Sequence, residues 1–322
     1  MTKNKTLLVG SFMFLIVLFM MLVGPHLSFI DPKAGEEIVR VEEGVITAPP
    51  YPPSLEDPFG STERGRDLLS LVVIGTKDTL LLVFAVTVIR YILSVPLALF
   101  ATKKKGLSHW ILNGWNQLFS GLSVLFSAIL LLNVPFLTFN ENRVYWSILI
   151  LALIEVGRVA YIFQQQTYTI SKSLYIDAAV TVGSHPLSIY FRHYLPALMP
   201  KIISTFFIDL GRVLLLIGQL GIFSIFINQK LVQLSFSHGE LQNTSHNWAT
   251  LLGTARGDLL TAFWIPFFPA LAITFTIITF NLLGEGLRQH FEQPSSSRFQ
   301  LLSIIKSKRM RGIKRKNDNV GA

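Results

Sequence analysis

The chain has 322 residues, 51% of them hydrophobic and 15% charged, with 28 Lys and Arg against 19 Asp and Glu. Soluble domains carry about 25% charged residues, so this composition excludes an ordinary soluble enzyme, and the absence of cysteine removes disulfides and cysteine metal sites. The surplus of nine positive charges is not a nucleic-acid footprint, because the bases gather at the chain ends and in short segments between apolar runs, where a membrane protein places its cytoplasmic loops.

Six apolar runs are long enough, at roughly 20 residues each, to cross a bilayer. The first, Leu7–Val23, follows Lys3 and Lys5. It is too long for a signal-peptide core, and the "GPHLSF" after it offers no small-x-small cleavage site, so it reads as a retained helix. The segment 25–78 is then extracytoplasmic, and its "TAPPYPP" suits an extended surface strap. Within it, "GSTERGRD" follows a strap and not a strand, so it is no phosphate cradle; Arg64 and Arg66 alternate with Glu63 and Asp67, which predicts local ion pairing.

The core, 79–284, holds the other five spans: Thr79–Ala101, Leu112–Val134, Val144–Phe163, Ile202–Ile227 and Ala262–Leu283. Lys103, Lys104 and Lys105 follow the second span, and "KSKRMRGIKRK" lies in the tail 285–322 after the last. The positive-inside rule therefore puts both termini, and the loop 164–201, in the cytoplasm. The fold class is an all-α integral membrane protein with about six transmembrane helices and a solvated basic tail.

Inside that loop stands "YIDAAVTVGSHPLSIYFRHYLP", Tyr175 to Pro196. Asp177, Ala178 and Ala179 belong to a short helix with a low-profile face. Gly183 can take the left-handed conformation that ends a helix, and Pro186 can open the next, because the first helical position needs no amide donor. The pattern predicts a short helix, a turn and a second short helix, with Pro196 and Pro200 marking the approach to the fifth span. So short a helix needs packing partners to persist. It suits either another protein's groove or a connector lying on the membrane surface.

The same stretch resembles the coupling loop of ABC-importer membrane subunits, whose pattern is E-A-A, a Gly four residues after the second Ala, then H-x-L-P. Here the matching residues are Asp177-Ala178-Ala179, Gly183 and His193-Tyr194-Leu195-Pro196. Two more stretches resemble the oligopeptide, dipeptide and nickel permeases. "DPFGSTERGRDLLS", Asp57 to Ser70, matches the segment before their second span, and "FFPALAITFTIITFNLLGEGLR", Phe267 to Arg288, matches their last span. The resemblance runs from about Asp57 to Arg288 and is nearest to the second permease subunit of such systems. Asp177 replaces the usual Glu, Ala197 the usual Asn, and the stretch after the fifth span is longer than the family's.

This resemblance implies a type I importer permease fold and a non-catalytic subunit of a peptide importer in the plasma membrane. The implied partners are a second homologous permease, two ATP-binding subunits and an extracytoplasmic substrate-binding protein, besides membrane lipid. No cofactor belongs to this chain; ATP and Mg are expected in the ATPase subunits, consistent with the lack here of a G-x-x-x-x-G-K-[ST] loop. Tyr175, Asp177, Ala178, Ala179, Gly183, Pro186, His193, Leu195 and Pro196 would form the ATPase-coupling loop. His193 is assigned a packing or hydrogen-bonding role and no proton chemistry.

Charges within the apolar runs are the remaining candidates. Arg90 lies in the second span, Glu155 and Arg158 in the fourth, Asp209 and Arg212 in the fifth. Such groups are costly in lipid and face partners or polar cavities. Arg90 and Glu155 have similar depths and are expected to pair between helices; Asp209 and Arg212, three residues apart, can pair on one face. Two alternatives for the group are that Arg90 lines the pathway and meets a peptide carboxylate, or that Glu155 and Asp209 couple a self-sufficient transporter to protons. A polytopic enzyme has no nucleophile, metal or acid–base set here, and His238 and His246 fall in a polar outer loop.

Overall fold

The computed structural model describes residues 4–31, 35–42, 45–55, 57–138, 140, 142–235, 238–243 and 245–292. In chain order it contains α1 (Lys5–Leu22), β1 (Arg40–Glu42), β2 (Val45–Thr47), α2 (Leu68–Phe100), α3 (Leu107–Ser120), α4 (Val124–Leu132), α5 (Pro135–Thr138), α6 (Arg143–Ser171) and α7 (Leu174–Thr181). There follow α8 (Pro186–Ile189), α9 (Leu195–Ile222), β3 (Gln229–Ser235), β4 (His238–Asn243), α10 (Trp248–Leu251), α11 (Ala255–Thr261) and α12 (Trp264–Glu292). The four strands form two separate antiparallel hairpins, β1–β2 and β3–β4, so the molecule is a helical bundle with small outer ribbons.

Among the described residues, five helices are long and apolar enough to cross a membrane: α1, α2, α6, the continuous helix from Pro186 to Ile222, and α12. The expected third span, Leu112–Val134, is not one straight helix. It is the pair α3 and α4, bent by 94° at Ser120-Gly121-Leu122-Ser123. The reason lies in α3, which is polar on one face and packs flat against α6. Trp115 Nε1 donates to Leu153 O at 2.9 Å, and a Cβ at Gly157 would sit 2.7 Å from the Asn116 amide, so only glycine admits this approach.

At 33 residues and about 1.5 Å per residue, α2 is roughly 50 Å long and overshoots a hydrocarbon core of about 30 Å. The second span thus begins at Leu68, ahead of the expected Thr79, and its excess length extends beyond the hydrocarbon core. Asp67 caps the helix, accepting from the amides of Leu69 and Ser70 at 3.1 and 2.9 Å. This role draws Asp67 away from local ion pairing. Arg66 instead reaches Glu36, thirty residues back, at 2.6 Å, and Arg64 approaches the same carboxylate at 3.9 Å. The strap is pinned by Tyr51, buried, with Arg40 stacked 4.4 Å from its ring centroid and paired with Asp57 at 2.8 Å.

The core forms two apolar clusters along the bundle. One apolar cluster joins α2, α4, α6, α9, α10 and α12; a second, around Tyr91, Phe163, Leu112, Ile176 and Leu198, lies at the α7 end. Helix α1 docks on α12 through glycines: added Cβ atoms would come 2.9 Å from Leu283 N at Gly10 and 2.6 Å from Leu7 Cα at Gly286. The polar stretch after β4 folds back inward. Trp248 is buried, its amide donating to Thr79 Oγ1 at 3.0 Å and its indole to Val72 O at 2.8 Å. The fifth span is helical only to Ile222, short of the expected Ile227. The last span continues to Glu292, and the basic run Lys306 to Lys316 lies outside the described residues.

Candidate functional site

Two sets of residues stand out, one at an end of the bundle and one inside it. At the end where α2 finishes, α7 follows α6 after the two-residue link Lys172-Ser173. Asp177 lies in its first turn, where a carboxylate favours the positive helix end. The helix stops in a hydrogen-bonded cap: Gly183 N–H donates to Val180 O at 2.9 Å and Ser184 N–H to Ala179 O at 3.1 Å, with Gly183 at φ +84°. Nothing lies within 4 Å of a Cβ built on Gly183, so the glycine serves the backbone angle and not a close contact.

A single buried residue, Ile176, anchors α7 to the bundle. The outward residues are apolar: Leu174 is 86% exposed, Val182 86%, Val180 57% and Tyr175 50%. Asp177 and Ala178 are exposed and Ala179 is half-buried. The ring of Tyr175 stacks on that of His193, centroids 6.4 Å apart.

Pro186 opens α8, with the His185 ring accepting the Leu187 amide at 3.3 Å. Contrary to the expected separate second helix, α8 does not end. It passes through a π-helical segment, Tyr190–Tyr194, into α9. Pro196 has no amide to donate to Arg192, and the wider turn, in which Leu195 N–H bonds to Tyr190 O, absorbs that loss. Leu195 and Pro196 thus lie inside a continuous helix that starts at Pro186, and the turn proper is confined to residues 182–185.

The second set lies midway along α2, α6 and α9. Arg90, fully buried, places Nη1 2.8 Å from Glu155 Oε2 and donates through Nη2 to Leu151 O at 3.0 Å. Glu155 also accepts from Arg158 Nε at 2.7 Å. Asp209, buried, lies 3.3 Å from Arg158, 3.4 Å from Arg212 and 3.9 Å from Arg90. Three guanidiniums thus share two carboxylates, and Arg158 links pairs that sequence depth alone would treat as separate. Arg158 faces two helices because its long side chain starts one turn beyond Glu155.

Sequence reading missed two neighbours of this cluster. Ser123 and Gln219 join Glu155 and Arg212 in lining a cleft of about 350 Å³. Neither carries a charge that would mark it within an apolar run. At the opposite end of the bundle, a cleft of about 450 Å³ lies between the strap and the segments around α10, lined by Glu63, Arg64, Arg66, His246 and Thr254 among others. Next to it Asp258 is buried and accepts from Thr254 Oγ1 at 2.6 Å. No group of three or more His, Cys, Asp or Glu suited to a metal occurs among the described residues.

Residues 94–295 match the family described as "Binding-protein-dependent transport system inner membrane component". A probable D,D-dipeptide transport system permease of Escherichia coli (strain K12) is 26% identical over 289 residues, covering 89% of this chain and 88% of its own. Glutathione transport system permeases of Escherichia coli O6:K15:H31 and Shigella boydii serotype 4 are each 29% identical over 239 residues, covering 73% of this chain and 72% of theirs. In this family ATP hydrolysis lies in partner subunits, which sets aside proton coupling through Glu155 and Asp209. Several membrane-length helices and a match over most of the chain agree: the protein belongs to the inner-membrane permease components of binding-protein-dependent ABC transport systems, as a multi-pass, non-catalytic subunit.

Proposed function

We propose that this permease serves a peptide importer, in which it and a second homologous permease enclose the pathway and α7 docks on one of two ATP-binding subunits. The cargo class rests on the named relatives, which carry a dipeptide and glutathione, both small peptides. The observation that carries the docking role is the exposed apolar face of α7, held by Ile176 and ended at Gly183. An apolar helix face of this kind fits a groove on a protein partner. The segment from Tyr175 to Pro196 then transmits closure of the ATPases, which hold ATP and Mg, into α9, because α8 is continuous with that span.

Both termini and α7 lie in the cytoplasm on this reading, supported by Lys103, Lys104, Lys105 and Lys172 at the α7 end. The strap and the 450 Å³ cleft, at the other end of α2, then face the substrate-binding protein.

The test is purification of the tagged permease, co-expressed with its neighbouring genes, beside Gly183→Pro. The wild type should carry the second permease and ATPase subunits, and the variant should keep the permease while losing the ATPases. Retention of the ATPases by Gly183→Pro, or a wild type that purifies alone, would refute the docking role.

A further inference from the structure

The intramembrane charge cluster leaves one guanidinium incompletely answered. Among the described residues, Arg90, Arg158 and Arg212 pair only with Glu155 and Asp209, so the group has a surplus of one positive charge. Arg90 and Arg158 each make a contact of 2.8 Å or less with Glu155. Arg212 has only the 3.4 Å approach to Asp209, whose same oxygen also receives Arg158, and its side chain is 49% exposed. A surplus charge at this depth is costly against lipid and is expected to face a polar space.

That space is the 350 Å³ cleft, and its other polar groups suit an anion. Gln219, two turns along α9 from Arg212, brings a carboxamide to the same wall. Ser123, Val124 and Leu125 bring the start of α4. The break in the α3–α4 span exposes this helix start within the bundle, and no side chain caps it. Its first amides lack intrahelical partners and lie at the positive end of the helix dipole. Glu155, on the same wall, is already engaged by two arginines and so leaves the cleft's charge balance positive.

We propose that this cleft is a transient site for the C-terminal carboxylate of the peptide in transit, with Arg212 as the charged contact and Gln219 and the α4 start as hydrogen-bond donors. The inference rests on the peptide reading of the cargo. It assigns the C-terminal carboxylate because every linear peptide carries that anion whatever its side chains, so one fixed cation can serve a mixed cargo. The 3.4 Å bond to Asp209 is long enough to exchange for a shorter, charge-assisted contact with a passing carboxylate.

The experiment uses the complete complex in proteoliposomes with its binding protein. The probe is an equimolar mixture of dipeptides and their C-terminal amides, with uptake quantified by mass spectrometry and normalised to occupancy of the binding protein. The wild type should import the free acids with ATP. Arg212→Gln should slow the acids by about tenfold, the scale of one lost hydrogen bond to a charged group, and leave the amides nearly unchanged; Arg212→Lys should recover most of the acid uptake. Equal slowing of acids and amides by Arg212→Gln, with the complex intact, would overturn the carboxylate site while leaving the peptide reading in place. Loss of the second permease from Arg212→Gln would show instead that Arg212 answers a carboxylate of that subunit. A wild type that imports neither probe would overturn both readings.

Discussion

Helix α7 and the buried charge cluster are both held by few interactions, but of opposite kinds. The first is specified over ten residues, by a cap at Gly183 and one anchor at Ile176, and turns its apolar side chains outward. The second is specified across more than a hundred residues, by ion pairs among three helices, and turns its charges inward. In water and lipid alike, each arrangement is unfavourable without a partner: exposed apolar surface at α7, surplus charge at Arg212. Groups that are costly in the isolated subunit mark the places where something else binds.

The sharpest way to break the comparison is to remove Arg90. Arg90→Ala would strand Glu155 beside Arg158 alone and leave a buried void, at a cost of about 3–5 kcal/mol, as for breaking a buried pair. Little folded protein should be recovered on detergent size-exclusion chromatography. Charge reversal, Arg90→Glu, should be as severe, and the exchange Arg90→Glu with Glu155→Arg should restore a measurable fraction. Failure of the exchange to restore folded protein would mean that the Leu151 carbonyl and Asp209, not Glu155, fix Arg90 in place.

This contrast also explains what could be read from residues in order. The cap at Gly183 and the start at Pro186 are local, so their spacing states them. Similar depth along two apolar runs is enough to place Arg90 beside Glu155. Other features depend on the partner surface. Leu112–Val134 carries no charged residue, and hydropathy does not register that Trp115 and Gly157 lay α3 flat on α6 and force a 94° break. The continuity of α8 with α9 depends on a π segment that compensates Pro196, where proline suggested a boundary. Arg66 pairs with Glu36 because the strap returns across "STERGRD", and no short-range pattern carries that return. Ser123 and Gln219 are uncharged and became visible only as walls of one cleft.

A smaller effect is expected where α1 crosses α12. Gly286→Leu would force a side chain into the backbone of Leu7, 2.6 Å from the added Cβ. Overpacking of this kind costs about 1–3 kcal/mol, and because α1 is otherwise mainly exposed, the loss should fall on that helix. The thermal melting temperature of the purified protein should drop while a protease site engineered near Lys5 becomes accessible. An unchanged cleavage rate would place the strain elsewhere in α12. Below this in the ranking comes Gly183→Ala, where an L-residue must hold φ +84° at about 1–2 kcal/mol. That strain is confined to the α7 turn, so melting should barely change while ATPase co-purification falls; an equal fall in both would show that the turn supports the core.

The smallest expected effect lies at the other end of the molecule, where the strap meets α11. The neighbouring Asp258 side chain, with burial, raises the Glu63 carboxyl above its usual 4.5 against an opposing pull from Arg64. A carboxyl raised in the folded state favours its protonated form there. Its contribution is therefore complete below the ordinary value and fades as pH climbs through the raised one. Above that window the two carboxylates repel across the strap. Glu63 is exposed, so solvent screens the effect and the shift should be modest. Glu63→Gln, which imitates the protonated side chain, should melt with the wild type well below pH 4.5 and above it at neutral pH. A difference independent of pH would mean that the Gln effect comes from packing and not from the charge of Glu63.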